Sequence, residues 1–155
     1  MIPEVRRFTD AARAGELLAL THAAFGDLKI DPPSGVLKET LADFEQRLVA
    51  ETCFVIEADG RIVASVFCIP QGDALYIGRL AVALDWRRRG LANMLMEAAK
   101  AEARRIGARR MTLGCRIALV SNLALFRQHG FVVVAETCHE GFTVPTSYDM
   151  ELRLR

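Results

Sequence analysis

The stretch LAVALDWRRRGLANML, residues 80–95, joins an apolar strand pattern to an alanine-rich helical pattern through a turn with three arginines and one glycine. A helix that follows such a turn leaves its first backbone N–H groups without intrahelical partners, at the positive end of the helix dipole. Gly90 and Ala92 keep bulky side chains away from these groups, so an anion can approach the backbone closely. The stretch therefore predicts a strand–turn–helix unit with an anion site at the turn.

Taken alone, Arg87, Arg88 and Arg89 fit a nucleic-acid patch, a solvated helix start or a phosphate site equally well. The chain carries 20 Lys and Arg residues against 19 Asp and Glu residues, so its formal net charge is +1. Such a balance provides no global field to attract nucleic acid or anionic membranes, and no aromatic residue is interleaved with the arginines. We therefore expect no nucleic-acid or membrane partner, while the solvated and phosphate interpretations both remain open at this point.

Hydrophobic periodicity and turn residues predict the rest of the architecture. The predicted elements, in order, are a strand at 4–9, helices at 11–25 and 37–51, a hairpin at 52–69, a strand at 74–82, a helix at 91–106, a strand at 109–116, a helix at 121–129, and strands at 131–138 and 146–154. The expected buried stripe of the helix at 91–106 is Leu91, Leu95, Ala98, Ala99 and Ile106. This order indicates a single α+β domain over residues 1–155, with a mixed, mostly antiparallel sheet of about six to seven strands flanked by about four helices.

Cys53, Cys68, Cys115 and Cys138 are scattered without a C-x-x-C pair, each inside an apolar run. This spacing predicts buried free thiols rather than zinc ligands or disulfides. No apolar run approaches the roughly 20 residues that a membrane span needs. The N-terminal MIPEVRRFTD lacks the apolar stretch of a secretory signal. We therefore expect a cytoplasmic protein without a bound metal.

The sequence LAV at 80–82, followed by Arg87-x-x-Gly90-x-Ala92, resembles the signature of the GNAT superfamily of acyl-CoA-dependent N-acetyltransferases. That signature is R/Q-x-x-G-x-G/A after a strand ending in L-x-V. The resemblance covers essentially the whole chain, including the two N-terminal helices, the hairpin and the late LALFRQHGF at 123–131. A GNAT-like fold is therefore the expectation for this chain.

The resemblance implies that acetyl-CoA is the cosubstrate and that no metal takes part. The pyrophosphate of the coenzyme would lie on the backbone N–H groups of the turn, and its pantetheine arm would pair with the backbone of residues 80–82 as an added strand does. The backbone N–H near Leu80 would stabilise the oxyanion of acyl transfer. The implied coenzyme-binding residues are Leu80, Ala81, Val82, Arg87, Arg88, Arg89, Gly90, Leu91, Ala92, Asn122 and Phe126.

Two of these residues have a second interpretation that the sequence leaves open. Asn122 lies at the start of the last predicted helix, where it either caps that helix or hydrogen-bonds the pantetheine amide. Phe126 either contacts the pantetheine or acetyl end, or is a core residue of the same helix.

The chain departs from the family pattern at two catalytic positions. Phe126 occupies the place, four residues before Gly130, where relatives often carry a tyrosine that protonates the leaving thiolate. The strand at 74–82 also lacks the carboxylate that serves many relatives as general base. His139 is the candidate base, because histidine titrates nearest neutrality, and Tyr148 is the candidate acid. Weaker base candidates are Glu140, His22 and Asp27, and Arg79 and Tyr76 are candidates for the acceptor groove.

The resemblance implies an N-acetyltransferase that moves an acetyl group from acetyl-CoA to a primary amine by direct attack in a ternary complex. The acceptor would be a small molecule or a peptide. The alternative is a non-catalytic acyl-CoA-binding sensor or regulatory module, which Phe126 and the missing strand carboxylate favour. The alternating last strands could pair across a homodimer.

Overall fold

The computed structural model describes residues 3–155, which form seven strands and four α-helices. The strands are β1 (Val5–Phe8), β2 (Thr52–Ala58), β3 (Arg61–Gln71), β4 (Ala74–Val82), β5 (Arg110–Arg116), β6 (Val132–Thr137) and β7 (Ser147–Arg153). The helices are α1 (Ala14–Gly26), α2 (Leu41–Ala50), α3 (Leu91–Arg105) and α4 (Val120–Gln128). Short 3-10 turns lie at Ala11–Arg13, Gly35–Lys38 and Leu84–Trp86. Within the described residues, no helix has both the length and the apolar character to cross a membrane.

The strands form one sheet in the order β1-β2-β3-β4-β5-β7-β6. The β1–β2, β2–β3, β5–β7 and β6–β7 pairs are antiparallel, whereas β4 and β5 pair in parallel. The parallel ladder extends over three residue pairs, from Ala74 with Arg110 to Tyr76 with Thr112. The predicted α+β class, with a mostly antiparallel sheet and four helices, is confirmed.

The chain divides into two compact units. The first contains the described residues up to Ile69 together with Ile77–Ala99, and the second contains Pro70–Tyr76 with Lys100–Arg155. The single domain over residues 1–155 stays a prediction, and its first two residues lie outside the described part of the chain.

The β2–β3 hairpin and α2 organise the first unit. Asp59 and Gly60 form the two-residue loop of the predicted hairpin, with φ of 52° and 76°, the left-handed pair that a type I′ turn requires. Phe44 of α2 and Phe67 of β3 are fully buried and meet edge to face, with ring centroids 5.8 Å apart. This aromatic pair anchors α2 on the sheet of its own unit.

The predicted start of the second helix at residue 37 is wrong. Thr40 caps α2, because its hydroxyl accepts a hydrogen bond from the Asp43 N–H while the Asp43 carboxylate accepts one from the Thr40 N–H. This reciprocal capping box fixes the first helical residue at Leu41. Leu37 lies instead in the preceding 3-10 turn, so its apolar spacing belongs to another element.

In the second unit, β7 lies between β5 and β6. Met150 stands opposite Leu113 on β5 and Val133 on β6, and it is fully buried. Helix α4 ends at a left-handed Gly130, where the Phe131 N–H donates to the Phe126 carbonyl at 3.0 Å, as in a Schellman motif. The helix end is therefore set by the glycine that the sequence places there.

The buried stripe of α3 differs from the predicted one. Ile106 is 39% exposed, because α3 ends at Arg105 and the chain then turns at the left-handed Gly107. Ala98 is half-buried. The residues of this helix that are buried are Leu91, Leu95, Met96, Ala99, Glu102 and Ala103.

Cys53, Cys68 and Cys115 are buried as predicted, but Cys138 is exposed. It follows the last residue of β6, outside the apolar ladder, and its thiol contacts the carbonyl oxygens of Phe142 and Val144 at 2.7 and 3.1 Å. The prediction failed here because β6, which contains the apolar run VVV, is exposed along its length and contributes no residue to the core. Burial raises the pKa of Cys115 to about 11.

Candidate active site

The turn after β4 is built by backbone hydrogen bonds. The Ala83 N–H donates to the Val63 carbonyl at 2.8 Å, and the Trp86 N–H donates to the Ala83 carbonyl at 2.9 Å. Helix α3 then begins with a hydrogen bond from the Met94 N–H to the Gly90 carbonyl at 3.1 Å. A helix start leaves the N–H groups of its first turn without an earlier helical carbonyl to bind, so such groups are potential donors for a ligand.

Gly90 gives this turn its shape. Its φ is +79°, which L side chains rarely adopt, and a Cβ built on it would meet nothing within 4 Å. The backbone at the helix start is therefore open on this side. Glycine adopts this conformation without strain, whereas another residue would be strained in it.

The three arginines of the turn have different partners. Arg87 forms an ion pair with Asp27 at 3.0 Å, and Arg89 stacks over Trp86 with its guanidinium 4.3 Å from the ring centroid. Arg88 is exposed, and no ion pair joins it to any residue in the described range 3–155. Its guanidinium is thus available to an external anion, whereas Arg87 is engaged by Asp27 and Arg89 by Trp86.

The carboxyl end of β4 contains a second backbone irregularity. Arg79 directly precedes Leu80 and has a φ of +54°, a left-handed conformation inside a strand. For a non-glycine residue this conformation costs on the order of 1–3 kcal/mol and persists only where the surroundings enforce it.

Glu39 binds the side chain of Arg79. Its Oε1 accepts a hydrogen bond from Arg79 Nε at 2.6 Å, and its Oε2 accepts one from Arg79 Nη2 at 3.1 Å. The side chains of Arg79 and Glu39 are 19% and 13% exposed, respectively. A bidentate, largely buried pair of this kind is stronger and more directional than a surface ion pair.

Arg47 extends the pair into a four-residue network. Its Nε donates a hydrogen bond to Glu39 Oε2 at 3.0 Å, and its Nη2 donates to the same oxygen. Its Nη1 donates to Glu51 Oε2 at 2.7 Å. Burial raises the pKa of Glu39, but the hydrogen bonds from Arg79 and Arg47 outweigh it and leave that pKa below its ordinary value. We call Glu39, Arg47, Glu51 and Arg79 the ion network.

Glu51 differs from Glu39 in the effect that dominates its pKa. Its Oε1 is buried and has no hydrogen-bond partner, while Oε2 binds Arg47. Burial therefore dominates and raises the pKa of this carboxyl, against the opposing effect of Arg47. Sequence reasoning missed both glutamates, because neither is near β4 in sequence and no local pattern links them to it.

The candidate base and acid lie in the second unit. His139 is half-buried after β6, where its backbone N–H donates to Thr146 Oγ1 at 3.0 Å and its ring Nδ1 also contacts that oxygen. Tyr148 is half-buried on β7, paired with Cys115 on β5 and Glu136 on β6. His139 is thus bound by the Thr146 side chain and Tyr148 is placed by its strand, and the roles expected for them stay predictions.

Asn122 does not cap α4. The helix begins at Val120 with Leu119 as its N-cap, so Asn122 lies within the first turn and is exposed. Phe126 is buried, and its ring meets Phe131 edge to face at 6.3 Å. A core role for Phe126 is therefore shown, and its contact with a ligand stays a prediction.

The weaker base candidates have varied surroundings. Asp27 is committed to Arg87, and His22 Nε2 lies 3.1 Å from the Val36 carbonyl oxygen. Glu140 is exposed, and Tyr76 is half-buried with its hydroxyl 3.8 Å from the Cβ position of Gly114. Over residues 3–155, no three His, Cys, Asp or Glu side chains are grouped in a way that could hold a metal ion.

Residues 19–131 match the model of the acetyltransferase (GNAT) family. No curated protein matches the chain. The fold is similar to that of the PaiA N-acetyltransferase from Thermoplasma acidophilum in complex with coenzyme A, with a TM-score of 0.85, 12% identity, and coverage of 99% of this chain and 100% of the other.

Two further solved structures share the fold. The ribosomal-protein-S18-alanine N-acetyltransferase from Escherichia coli has a TM-score of 0.80 at 17% identity, with coverage of 98% of this chain and 94% of the other. The putative acetyltransferase YncA from Salmonella typhimurium, with its cofactor acetyl-CoA, has a TM-score of 0.75 at 20% identity, with coverage of 100% and 95%.

Proposed function

Because this chain belongs to the acetyltransferase (GNAT) family and is an acyl-CoA-dependent N-acetyltransferase, we propose that it acetylates a primary amine by direct attack in a ternary complex. The acceptor is a small molecule or a peptide. A cytoplasmic location stays a prediction that cell fractionation can test.

The observation that carries the proposal is the turn between β4 and α3. Its left-handed Gly90 leaves the helix start open, and Arg88 adds a positive charge without an ion-pair partner among the described residues. These features fit a pyrophosphate, which the N–H groups of residues 87–92 would bind while Arg88 adds charge. The backbone of residues 80–82 would pair with the pantetheine arm.

Acetyl-CoA supplies an activated acetyl group as a thioester. The backbone N–H of Leu80 donates a hydrogen bond to the carbonyl oxygen as negative charge develops there. The amine nitrogen forms a bond to the acetyl carbon, the carbon–sulfur bond breaks, and sulfur takes the electron pair and then a proton. An alkylammonium acceptor loses two protons in total, of which sulfur takes one and solvent receives the other.

We assign the proton transfers to His139 as base and Tyr148 as acid. A free alkylammonium ion has a pKa of about 10, so it needs a base before it can attack. The contact of His139 Nδ1 with Thr146 orients the imidazole, which leaves Nε2 as the atom that takes the proton. We expect replacement of His139 by glutamine to lower kcat by about 10²-fold or more.

A turnover assay tests the proposal directly. The purified protein is mixed with acetyl-CoA and a panel of amines, and released coenzyme A thiol is measured. The panel contains an amino acid, a diamine and a peptide with N-terminal alanine, the last because one structural neighbour is a ribosomal-protein-S18-alanine N-acetyltransferase. We expect thiol release that requires an amine. Binding of acetyl-CoA without release for every amine would contradict acyl transfer and favour the sensor alternative.

We also propose that two copies associate through β6. This strand is at the edge of the sheet, and all six of its residues are exposed, including three consecutive valines. Antiparallel pairing of β6 with its copy across a two-fold axis would satisfy the exposed backbone groups of this edge. Light scattering should give twice the mass of one chain, and Val134→Lys should give a monomer. A monomeric parent protein would contradict this association.

A further inference from the structure

The strained backbone of Arg79 precedes the residue on which the proposed chemistry depends. The Leu80 N–H belongs to the peptide unit that joins Arg79 to Leu80. The dihedral angles of Arg79 therefore set its direction. With φ at +54°, Arg79 interrupts the regular alternation of β4 at this peptide. Whatever holds Arg79 in this conformation therefore also sets the direction of the Leu80 N–H.

The other non-glycine residues with positive φ in the range 3–155 are Asp59 and Arg88, and both lie in turns. Asp59 occupies a hairpin loop whose geometry demands that conformation. Arg79 lies inside a strand, where the regular backbone is extended. The local sequence therefore does not explain its conformation, whereas the structure shows a side-chain interaction that constrains this residue.

Glu39 provides the interaction. Both of its oxygens accept hydrogen bonds from Arg79, at 2.6 and 3.1 Å, and Arg47 of α2 holds Glu39 Oε2 from the other side at 3.0 Å. Glu39 is the residue before the N-cap of α2, so the start of that helix fixes its backbone. The left-handed arginine is thus tied to a helix terminus rather than to a mobile side chain.

Resting on the proposed function, we infer that Glu39 is a positioning residue for acyl transfer: it holds Arg79 left-handed and so directs the Leu80 N–H at the thioester carbonyl. Arg79 acts through its backbone, and its guanidinium is the group that Glu39 binds. Arg47 completes the arrangement by keeping Glu39 in place.

The preference for acetyl-CoA over coenzyme A tests this inference without a known acceptor. The two ligands share the phosphates and the pantetheine arm, but only acetyl-CoA offers a thioester carbonyl to Leu80. By isothermal titration, we expect the wild-type protein to bind acetyl-CoA more tightly, and Glu39→Gln to reduce this preference about three- to tenfold, the worth of one hydrogen bond. The Kd for coenzyme A should stay within about twofold.

Glu45→Gln is the matched control, because Glu45 is an exposed glutamate on α2 outside the ion network. It should bind both ligands as the wild-type protein does. If Glu39→Gln keeps the full preference for acetyl-CoA, the inference is overturned. A wild-type protein that binds neither ligand would instead contradict the proposed function, and this inference with it.

A spectroscopic measurement separates positioning from general structural damage. The infrared band of the thioester carbonyl moves to lower frequency when a donor binds its oxygen. With carbonyl-labelled acetyl-CoA bound, we expect this shift in the wild-type protein and in Glu45→Gln, and a band close to that of free acetyl-CoA in Glu39→Gln. An unchanged band in Glu39→Gln would overturn the inference.

Two substitutions of Arg79 keep the inference testable if Glu39→Gln fails to fold. Glycine adopts a φ of +54° without a side chain to hold it, whereas alanine does not. We expect Arg79→Gly to keep the preference for acetyl-CoA and Arg79→Ala to lose it, and Glu39→Gln to have no further effect in the Arg79→Gly protein. Equal loss in both Arg79 variants would show that the guanidinium itself contacts the ligand and would overturn the inference.

Discussion

Two arginines of the first compact unit, Arg79 at the end of β4 and Arg88 in the following turn, share a left-handed backbone and differ in almost everything else. Arg79 is largely buried and bound by both oxygens of Glu39. Arg88 is exposed, and within residues 3–155 no ion pair holds it. The same conformation thus arises from a side-chain interaction in one case and from turn geometry in the other.

This difference indicates that one short segment has two separate roles, anion binding and the placement of an N–H donor. The turn presents open backbone and a free positive charge, which suit an anion from solution. The strand end presents a backbone whose geometry is determined internally, which suits the precise placement of one N–H donor. Substitutions that act on one region and spare the other can therefore test the division.

The largest effect is expected from Gly90→Val, which disrupts the turn and leaves the ion network intact. A β-branched residue at a φ of +79° is strained, and its side chain would fill the open space beside the helix start. Loss of several charge-assisted hydrogen bonds should weaken coenzyme A binding by about 100-fold or more. Isothermal titration measures the loss.

Gly60→Val is the matched control for this loss. Gly60 also has a positive φ, of 76°, and open space around it, but it lies in the β2–β3 hairpin loop. We expect both variants to lose on the order of 1–2 kcal/mol of stability. Only Gly90→Val should lose affinity, and similar coenzyme A binding by both variants would refute the assignment of the turn.

A smaller effect, on stability, distinguishes the two glutamates of the ion network by its pH dependence. The pKa of Glu39 is lowered, so its stabilising contribution is present above the ordinary value of 4.5 and is lost as the pH falls below it. Glu39→Gln should therefore cost about 1–2 kcal/mol at neutral pH and progressively less in acid.

Glu51 should show the opposite slope. Its pKa is raised, so its ionised form imposes a cost that is absent below 4.5 and fully present above its folded-state pKa. Relative to the wild-type protein, Glu51→Gln should therefore become more stable as the pH rises from about 4 to about 7. Urea unfolding at several pH values measures both slopes, and slopes of the same sign would show that the two carboxyls are not distinguished as described.

The smallest effect is expected from Arg88→Ala. Removal of one exposed positive charge should weaken coenzyme A binding about three- to tenfold and reduce its salt dependence. Stability should change by less than about 0.5 kcal/mol, since no ion pair within residues 3–155 is lost. Arg104→Ala, an exposed arginine in the last turn of α3, should change neither property. Equal binding by both variants would exclude Arg88 from the site.

The elements of the fold were largely predictable, because alternation and turn chemistry are local. Asp59-Gly60 specified the hairpin, and Gly130 specified the end of α4. Errors arose where a local pattern is ambiguous: Leu37 has helical spacing but precedes the Thr40 cap, and Cys138 follows an apolar strand that stays exposed.

The site was predictable only in part. Gly90 and the neighbouring arginines form a contiguous motif, so the turn could be read directly from the sequence. Arg79 and Glu39 are 40 residues apart, and a pair formed by folding leaves no periodic or spacing signal. Whether Asn122 caps α4 likewise depends on where the helix begins, and the observed N-cap is Leu119, three residues earlier.

Thermal unfolding of the wild-type protein with and without acetyl-CoA tests the central claim most directly, since a ligand selective for the folded state must raise Tm. At about 100 times Kd, acetyl-CoA should add about 2.7 kcal/mol to the free energy of unfolding. For a chain of this size, that stabilisation raises Tm by roughly 5–10 °C, and Gly90→Val should abolish the rise. An unchanged Tm for the folded wild-type protein at millimolar acetyl-CoA would contradict the account.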